Sequence, residues 1–229
     1  MQAVDRLVVA LDLSVRDDIL WAVDELHGAA GTFKVGLQAF IANGPAIVRE
    51  IVARGDRVFL DLKIHDIPNT AKHAVAEAVH LGASIVTVHA AGGDAMLRAC
   101  AESQGNMLVL GVTILTSLDE SDLPQIGFSG DVSSNAVRLA RLVRSTGLRG
   151  VVASPREIAA LRQACGPDLV ILAPGIRPAG GDAGDQRRTM TAAEAVRAGA
   201  DYIVVGRPIT GAKDRRAAAT AIVEEIDRG

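Results

Sequence analysis

The chain has 229 residues, and its 24 Lys plus Arg against 27 Asp plus Glu leave a formal net charge of −3. This slight acidity and the 3% aromatic content disfavour a nucleic-acid-binding protein, which needs a basic face and often stacks bases on aromatic rings. No apolar run reaches the roughly 18–20 residues that cross a bilayer, and the first residues lack the apolar core of a secretory signal. We therefore expect a cytoplasmic globular protein with neither nucleic acid nor a membrane as a partner.

The cysteine content also fits a cytoplasmic protein. The two cysteines, Cys100 and Cys165, are too few for a disulfide framework or for a four-ligand zinc site. Both fall in segments of helical periodicity without a neighbouring histidine, so we predict that they are small buried residues of the core.

Short runs rich in β-branched residues alternate along the chain with longer, Ala-rich segments of helical periodicity. The predicted strands are residues 7–11, 33–36, 58–62, 85–89, 108–113, 150–153, 169–173 and 202–206. The predicted helices are residues 16–27, 45–54, 68–81, 95–103, 134–146, 155–164, 192–198 and 215–227. Continuous apolar strands separated by helices are typical of a parallel sheet that is covered on its faces. Eight such units in a chain of this length predict an α/β fold, a single (β/α)8 TIM barrel over residues 1–229.

A doubly wound open sheet is the alternative architecture. That fold usually carries a Gly-rich turn after its first strand, whereas here the first strand runs into Asp12-Leu13-Ser14. The Gly/Pro-rich segment 174–185 follows the seventh strand and is longer than the two to six residues usual for such a loop. We predict a mobile functional loop at about 175–190, at the carboxyl end of the barrel.

Charged residues cluster where the first three predicted strands end. Asp61 and Lys63 are two residues apart and share the inward face with Phe59, while Lys34 ends the second strand and Asp12 the first. Any one of these charges alone is explained as well by exposure at a strand end. Together, at equivalent levels of three consecutive strands, they predict a charged pocket.

Charges in a pocket of low dielectric constant must be paired. An alternating set of Lys34, Asp61, Lys63 and Asp66 would meet this need. Such a row would also hold a lysine ammonium beside a reacting carbon and control its protonation.

The end of the eighth strand carries a different signal, Gly206-Arg207-Pro208. The loops after strands seven and eight are the usual phosphate site of this fold. Gly206 allows a close approach to the backbone, and the Arg207 guanidinium suits bidentate contact with a phosphate. A solvated arginine in a turn is the competing interpretation.

Histidine and metal chemistry are weaker candidates. His65 and His89 lie near strand ends, where a catalytic role competes with the commoner structural one. A cation bound by Asp61, His65 and Asp66 is conceivable, but the Lys63 cation would compete for the same carboxylates. We therefore predict no metal site.

The segment 61–70, DLKIHDIPNT, resembles the signature of the orotidine 5′-phosphate decarboxylase family. Further segments match in order over nearly the whole chain, namely Ala10-Leu11-Asp12, Phe33-Lys34-Val35-Gly36, Leu115-Thr116-Ser117, Ala173-Pro174-Gly175-Ile176-Arg177, Gly184-Asp185-Gln186-Arg187-Arg188 and Val205-Gly206-Arg207-Pro208-Ile209-Thr210. Sugar-phosphate decarboxylases such as 3-keto-gulonate 6-phosphate decarboxylase share the Asp-x-Lys-x-x-Asp core. They differ on the second strand, where a carboxylate that helps hold magnesium replaces Lys34.

The resemblance implies decarboxylation of orotidine 5′-monophosphate to UMP and CO2 without a cofactor, the last step of pyrimidine nucleotide synthesis. It implies that Lys63 is the proton donor within a charge network of Lys34, Asp61, Lys63 and Asp66. It also implies a homodimer in which Asp66 completes the partner's site.

The resemblance further implies a set of binding residues. They are Asp12, Lys34 and Thr70 at the ribose hydroxyls, Thr116 at the pyrimidine edge, Gln186 and Arg207 at the phosphate, Arg177 at the start of the mobile loop, and Gly206 through its backbone. Two alternatives remain open: a magnesium-dependent sugar-phosphate decarboxylase or aldolase of the same superfamily, and a non-catalytic nucleotide-binding barrel.

Overall fold

Eight parallel β-strands pair each with the next, and the first pairs with the last, so that the sheet closes into a barrel. The computed structural model describes residues 1–177 and 190–228. The strands are β1 Leu7–Ala10, β2 Thr32–Gly36, β3 Val58–Ile64, β4 Ile85–His89, β5 Leu108–Val112, β6 Gly150–Val152, β7 Val170–Ala173 and β8 Tyr202–Val205. The predicted (β/α)8 barrel is confirmed, and each predicted strand lies within two residues of an observed one.

Helices connect successive strands and cover the outside of the barrel. They are α1 Ala3–Arg6, α2 Arg16–Leu26, α3 Leu37–Asn43, α4 Ala46–Ala53, α5 Pro68–His80, α6 Gly93–Ser103, α7 Val132–Ser145, α8 Ile158–Cys165, α9 Ala192–Arg197, α10 Arg207–Thr210 and α11 Arg215–Arg228. Short 3-10 turns occupy Ala90–Gly92, Leu123–Ile126 and Pro155–Glu157.

Helices α1, α3 and α10 were not predicted from the sequence. Two of them have only four residues and α3 has seven, too short for a periodic pattern to stand out. The predicted helix 155–164 begins instead as a 3-10 turn with a capping box, in which Ser154 and Glu157 satisfy each other's backbone N–H groups.

Two apolar layers lie on opposite sides of the sheet. The inner layer fills the barrel and consists of Val8, Ala10, Phe59, Ile85, Leu110, Leu172 and Val204. The outer layer, to which Val58 and Leu60 belong, lies between the strands and the helices. The alternation predicted along β3 is therefore confirmed, with Phe59 inside and its neighbours outside.

Both cysteines are free and buried, as predicted, and burial raises the pKa of the Cys100 thiol to about 11. None of the helices in the described part of the chain is long and apolar enough to cross a membrane.

The predicted loop at about 175–190 is described only at its two ends. Ile176 and Met190 form an isolated parallel bridge, and the Arg177 backbone N–H donates to the Met190 carbonyl oxygen at 3.0 Å. Residues 178–189 lie outside the described residues. The prediction that this loop is mobile falls on them and stays a prediction.

Candidate active site

A cavity of about 500 Å³ opens at the carboxyl end of the barrel. Its floor is the top of the inner apolar layer, with Phe59, Leu172 and Val204, and its walls carry the polar groups. The polar and charged side chains that line it are Asp12, Lys34, Gln38, Asp61, Lys63, Thr116, Arg177 and Arg207. This is the end of the barrel where the sequence analysis placed the charged pocket.

Four of these side chains form a continuous row of alternating charge. The Lys34 ammonium lies 3.0 Å from Asp12 Oδ1 and 3.7 Å from Asp61 Oδ2, and the Lys63 ammonium lies 2.9 Å from the same Asp61 oxygen. The side chains of Lys34 and Asp61 are only 11% and 13% exposed. Removing one member would leave an uncompensated charge in a poorly solvated place, so the row holds each charge by its neighbours.

The backbone at Lys63 is strained. Its φ of 51° makes it the only non-glycine residue with positive φ in the described ranges 1–177 and 190–228. The pairing register between β3 and β4 shifts between Leu60 and Ile64, so the strand bulges around this residue. A bulge re-aims a side chain, and positive φ in a lysine costs on the order of 1–3 kcal/mol. The conformation that places the Lys63 ammonium in the cavity therefore lowers the stability of the folded state locally.

Thr87 on β4 ties the bulge to the charge row. Its hydroxyl accepts a hydrogen bond from the Lys63 backbone N–H at 2.9 Å and donates one to Asp61 Oδ1 at 2.9 Å. The residue is fully buried. It therefore orients the Asp61 carboxylate and satisfies the N–H that the bulge removes from the strand ladder.

Gly36 leaves the space that the row needs at the end of β2. A Cβ atom at this position would lie 2.8 Å from Lys34 Nζ and 3.2 Å from Asp12 Oδ1. No larger residue fits while Lys34 and Asp12 keep their contact.

The cavity is also lined by Arg177, Arg207, Thr116 and Gly206. A Cβ at Gly206 would make only an ordinary 3.4 Å contact with Ala10, so the protein's own packing does not demand glycine there. Gly206 lines the cavity next to Arg207, and it has no side chain of its own to cover its backbone there.

Asp66 and Thr70 do not join the cavity of their own chain. Both are exposed, and Asp66 Oδ1 accepts a hydrogen bond from the Ile67 N–H at 2.7 Å. The row of Lys34, Asp61, Lys63 and Asp66 predicted from pairing is therefore not formed within one chain. The fourth member of the observed row is Asp12, which pairs with Lys34 at the end away from Lys63. Gln186 lies outside the described residues.

His65 and His89 form a pair beside the row, with ring centroids 5.3 Å apart and planes tilted by 33°. Burial lowers the pKa of His89, and the nearby His65 and Lys63 lower it further, against the opposing effect of Asp61. The metal candidate of Asp61, His65 and Asp66 does not assemble: Asp61 faces the cavity while His65 and Asp66 are exposed.

Two site residues escaped the sequence analysis. Gln38 lines the cavity from α3, a helix that the analysis missed, and its amide donates to Ser14 Oγ at 2.9 Å. Thr87 is a polar residue at an inward position of the apolar strand IVTVH. That placement is the signal that could have identified it.

The fold and this cavity define a (β/α)8-barrel enzyme whose charged pocket lies at the carboxyl ends of the strands. The family model "Orotidine 5'-phosphate decarboxylase / HUMPS family" matches residues 5–222. The chain therefore belongs to this family.

Individual relatives agree with this assignment. The chain is 52% identical to an orotidine 5'-phosphate decarboxylase of Moorella thermoacetica over 99% of its own length and 94% of the relative's. It is 47% identical to the enzyme of that name from Heliobacterium modesticaldum, over 100% and 98%. The crystal structure of orotidine 5'-phosphate decarboxylase from Lactobacillus acidophilus superposes with a TM-score of 0.87 at 32% identity, covering 96% of this chain and 98% of that one.

Proposed function

We infer that this chain catalyses the decarboxylation of orotidine 5′-monophosphate to UMP and CO2. The observation that carries the inference is the Lys63 ammonium, held 2.9 Å from Asp61 by a strained backbone at the mouth of the inner barrel. The family and the full-length relatives named orotidine 5'-phosphate decarboxylase support the same reaction.

The chemistry requires a cation at the reacting carbon. When the bond between C6 and the carboxylate carbon breaks, CO2 leaves and the electron pair stays on C6 of the pyrimidine. The Lys63 ammonium stabilises the developing negative charge and then transfers its proton to C6, which yields UMP. Because the ammonium is already fixed by Asp61, whose carboxylate is oriented by Thr87, little reorganisation accompanies the reaction.

Asp61 and Lys34 keep Lys63 ready for this step. Asp61 Oδ2 lies between the two ammonium groups, at 3.7 Å from Lys34 and 2.9 Å from Lys63. This contact holds the Lys63 ammonium in the cavity, within reach of C6 of the bound substrate. Asp61 is also the carboxylate placed nearest the leaving group when C6 lies at Lys63.

The remaining residues bind the nucleotide. We assign Asp12 and Lys34, which are paired at the cavity, to the ribose hydroxyls, as the family resemblance implies. Thr116 is assigned to the pyrimidine edge and Arg207, with the Gly206 backbone, to the phosphate. Arg177 at the start of the loop and Gln186 within it complete the phosphate site in this proposal. Contacts far from C6 supply binding energy that holds C6 against the charged row, which is already in place.

We propose that the active unit is a homodimer in which Asp66 and Thr70 enter the partner's cavity. Both side chains are exposed at the carboxyl end of the barrel, next to Ile67, which is 67% exposed. Leu37 and Ile41 on α3, the helix that also carries Gln38, are exposed apolar residues as well. A second copy covering these residues would bury apolar surface and bring a carboxylate to the end of the charge row.

Mixing two inactive variants tests the shared site. Lys63→Ala and Asp66→Ala proteins, each with negligible turnover, are denatured together and refolded. In a shared site, mixed dimers hold one cavity with neither change, so up to about a quarter of the wild-type activity returns. If the mixture stays as inactive as its components, Asp66 does not act across an interface.

The reaction itself is tested by the ultraviolet absorbance of orotidine 5′-monophosphate with the purified protein in EDTA and no added cofactor. Loss of the substrate band and appearance of UMP establish the proposed reaction and show that it needs no divalent metal. Turnover that appears only with magnesium would favour the metal-dependent sugar-phosphate enzymes. UMP binding without turnover would favour a non-catalytic barrel. We place the enzyme in the cytoplasm, a reducing compartment that suits its two free cysteines.

A further inference from the structure

A second and larger cavity lies at the opposite end of the barrel, where the strands begin. Its volume is about 1180 Å³, against about 500 Å³ for the cavity that holds Lys63. It is lined by the turns that precede β3 to β7 and by the first residues of β5, β7 and β8. The inner apolar layer separates the two cavities, so this one shares no lining residue with the active site.

The rim of this basal cavity carries an excess of positive charge. Three arginines line it, Arg57, Arg144 and Arg149, against the single carboxylate of Asp168. Arg144 donates to the Cys165 carbonyl oxygen at 2.9 Å. The guanidinium groups of Arg57 and Arg149 make no hydrogen bond or ion pair with any residue in the ranges 1–177 and 190–228. Their charge therefore remains available to a ligand.

The floor of the basal cavity is apolar and includes one aromatic ring. Leu108, Val170 and Tyr202 are partly buried side chains that pack against the inner layer from below. Met107 is buried beside them. The Tyr202 hydroxyl has no hydrogen-bond partner within the described part of the chain. A planar apolar group could rest on this floor while its polar edge meets the hydroxyl.

We propose that the basal cavity binds a small organic phosphate with a planar body, of the chemical class of a nucleoside monophosphate. The two guanidinium groups of the rim supply the positive charge and the donors that a phosphate needs, and the floor of Tyr202, Leu108 and Val170 suits a planar base. The volume exceeds what such a molecule needs, since ligand pockets usually measure about 300–1,000 Å³. The pocket is concave and the chain carries a net charge of −3, which disfavours a nucleic-acid polymer as the occupant.

Tyr202 offers a direct probe of this site because it is the only tyrosine in the chain. The protein is produced with 3-fluorotyrosine, so that its ¹⁹F spectrum contains a single resonance from the basal cavity. AMP is added to the intact enzyme, and inorganic phosphate is added to a second sample. We expect a saturable shift with AMP, and weaker binding of inorganic phosphate because it cannot reach the apolar floor.

Substitutions on the rim identify the phosphate contacts. Arg57→Gln and Arg149→Gln each raise the dissociation constant for AMP about tenfold, the effect of losing one charge-assisted contact. Arg141→Gln, an exposed arginine of α7 outside the cavity, leaves it unchanged and serves as the control. Both rim arginines are exposed, so their variants are expected to fold, which circular dichroism verifies. Decarboxylation by the rim variants stays at the wild-type level.

Three results would overturn the proposal. One is the absence of any shift of the Tyr202 resonance at millimolar AMP. Another is a shift that is unaffected by both rim substitutions. The third is a shift that disappears in an Arg207→Ala variant, since AMP would then be bound in the active site. None of these results bears on the decarboxylation assay, so the two proposals fail independently.

Discussion

The charged residues that line the cavities at the two ends of the barrel differ in burial and in pairing. At the carboxyl end, Lys34 and Asp61 are nearly buried, paired and fixed by a bulged strand. At the amino end, Arg57 and Arg149 are exposed around an open cavity, and the adjoining turns use glycines such as Gly82 and Gly147 for positive φ. Glycine adopts that conformation without the penalty that Lys63 bears.

The difference shows where this fold tolerates local instability. A nearly buried lysine–carboxylate pair and a strained lysine are each unfavourable for folding, and here they lie at the same cavity. Residues there should affect catalysis more than stability, and residues at the amino end should do the reverse. Five predictions test this division, from the largest expected effect to the smallest.

Lys63→Ala should lower kcat by at least about 10³-fold, because both the stabilising cation and the proton donor are lost. UMP should still bind, since the residues assigned to ribose and phosphate remain. The absorbance assay gives turnover, and calorimetry gives the UMP dissociation constant. Turnover near the wild-type rate would remove Lys63 from the mechanism.

Arg207→Ala should lower kcat/KM about 100-fold through loss of phosphate binding, with little change in the free energy of unfolding. Arg207 is exposed at the start of α10, so few core contacts depend on it. Kinetics and urea unfolding of the same preparation measure the two effects. A parallel loss of stability would contradict a binding role.

Thr87→Val should lower kcat about 10–30-fold and the free energy of unfolding by about 1–2 kcal/mol, because Asp61 loses a hydrogen bond and the Lys63 N–H loses its acceptor. Thr87→Ser keeps the hydroxyl and is the matched control. If Val and Ser variants have equal kcat, the hydroxyl does not position the charge row.

One substitution made at both ends of β2 compares the two regions directly. A Cβ at Gly31 would lie 2.6 Å from Asp5 Cα and 2.7 Å from the Val4 carbonyl oxygen, both backbone atoms that cannot move aside easily. Gly31→Ala should therefore lower the free energy of unfolding by about 1–3 kcal/mol and leave kcat/KM of the folded fraction unchanged.

At the other end of the strand, Gly36→Ala displaces the Lys34 ammonium instead of the backbone. We expect kcat/KM to fall about fivefold with a smaller loss of stability. Thermal unfolding and steady-state kinetics of both variants give the comparison. Equal effects of the two alanines on activity and stability would refute the division between the ends.

The smallest effect concerns pH. Because the pKa of His89 is lowered in the folded state, the unfolded chain takes up a proton near the ordinary value of about 6.5 while folded His89 remains neutral. The unfolded state then binds more protons, so stability falls as pH drops below about 6.5. His89→Gln should decline less over this range, whereas exposed His80→Gln should follow the wild type. Identical declines for wild type and His89→Gln would exclude this linkage.

Much of the site was predictable because parallel strands all end at the same rim. Asp12, Lys34, Asp61 and Lys63 follow or end successive apolar strands, so their inward positions bring them to one cavity. Arg207 was expected at this end because it follows the last strand, whereas Thr116, beyond the end of β5, was expected only from the family resemblance. Asp66 lies beyond the strand, where a pairing rule based on alternation no longer applies, and the structure leaves it exposed.

The sequence by itself determined the barrel, the inward face of β3 and the residue types at the carboxyl ends of the strands, because these depend on local periodicity and chain order. Only the tertiary structure decided that Lys63 has positive φ, that Thr87 bridges it to Asp61, and that an arginine-rimmed cavity lies below the barrel. These features depend on the register between neighbouring strands and on closure of the sheet. Closure joins residues far apart in the chain, and no local pattern records their distances.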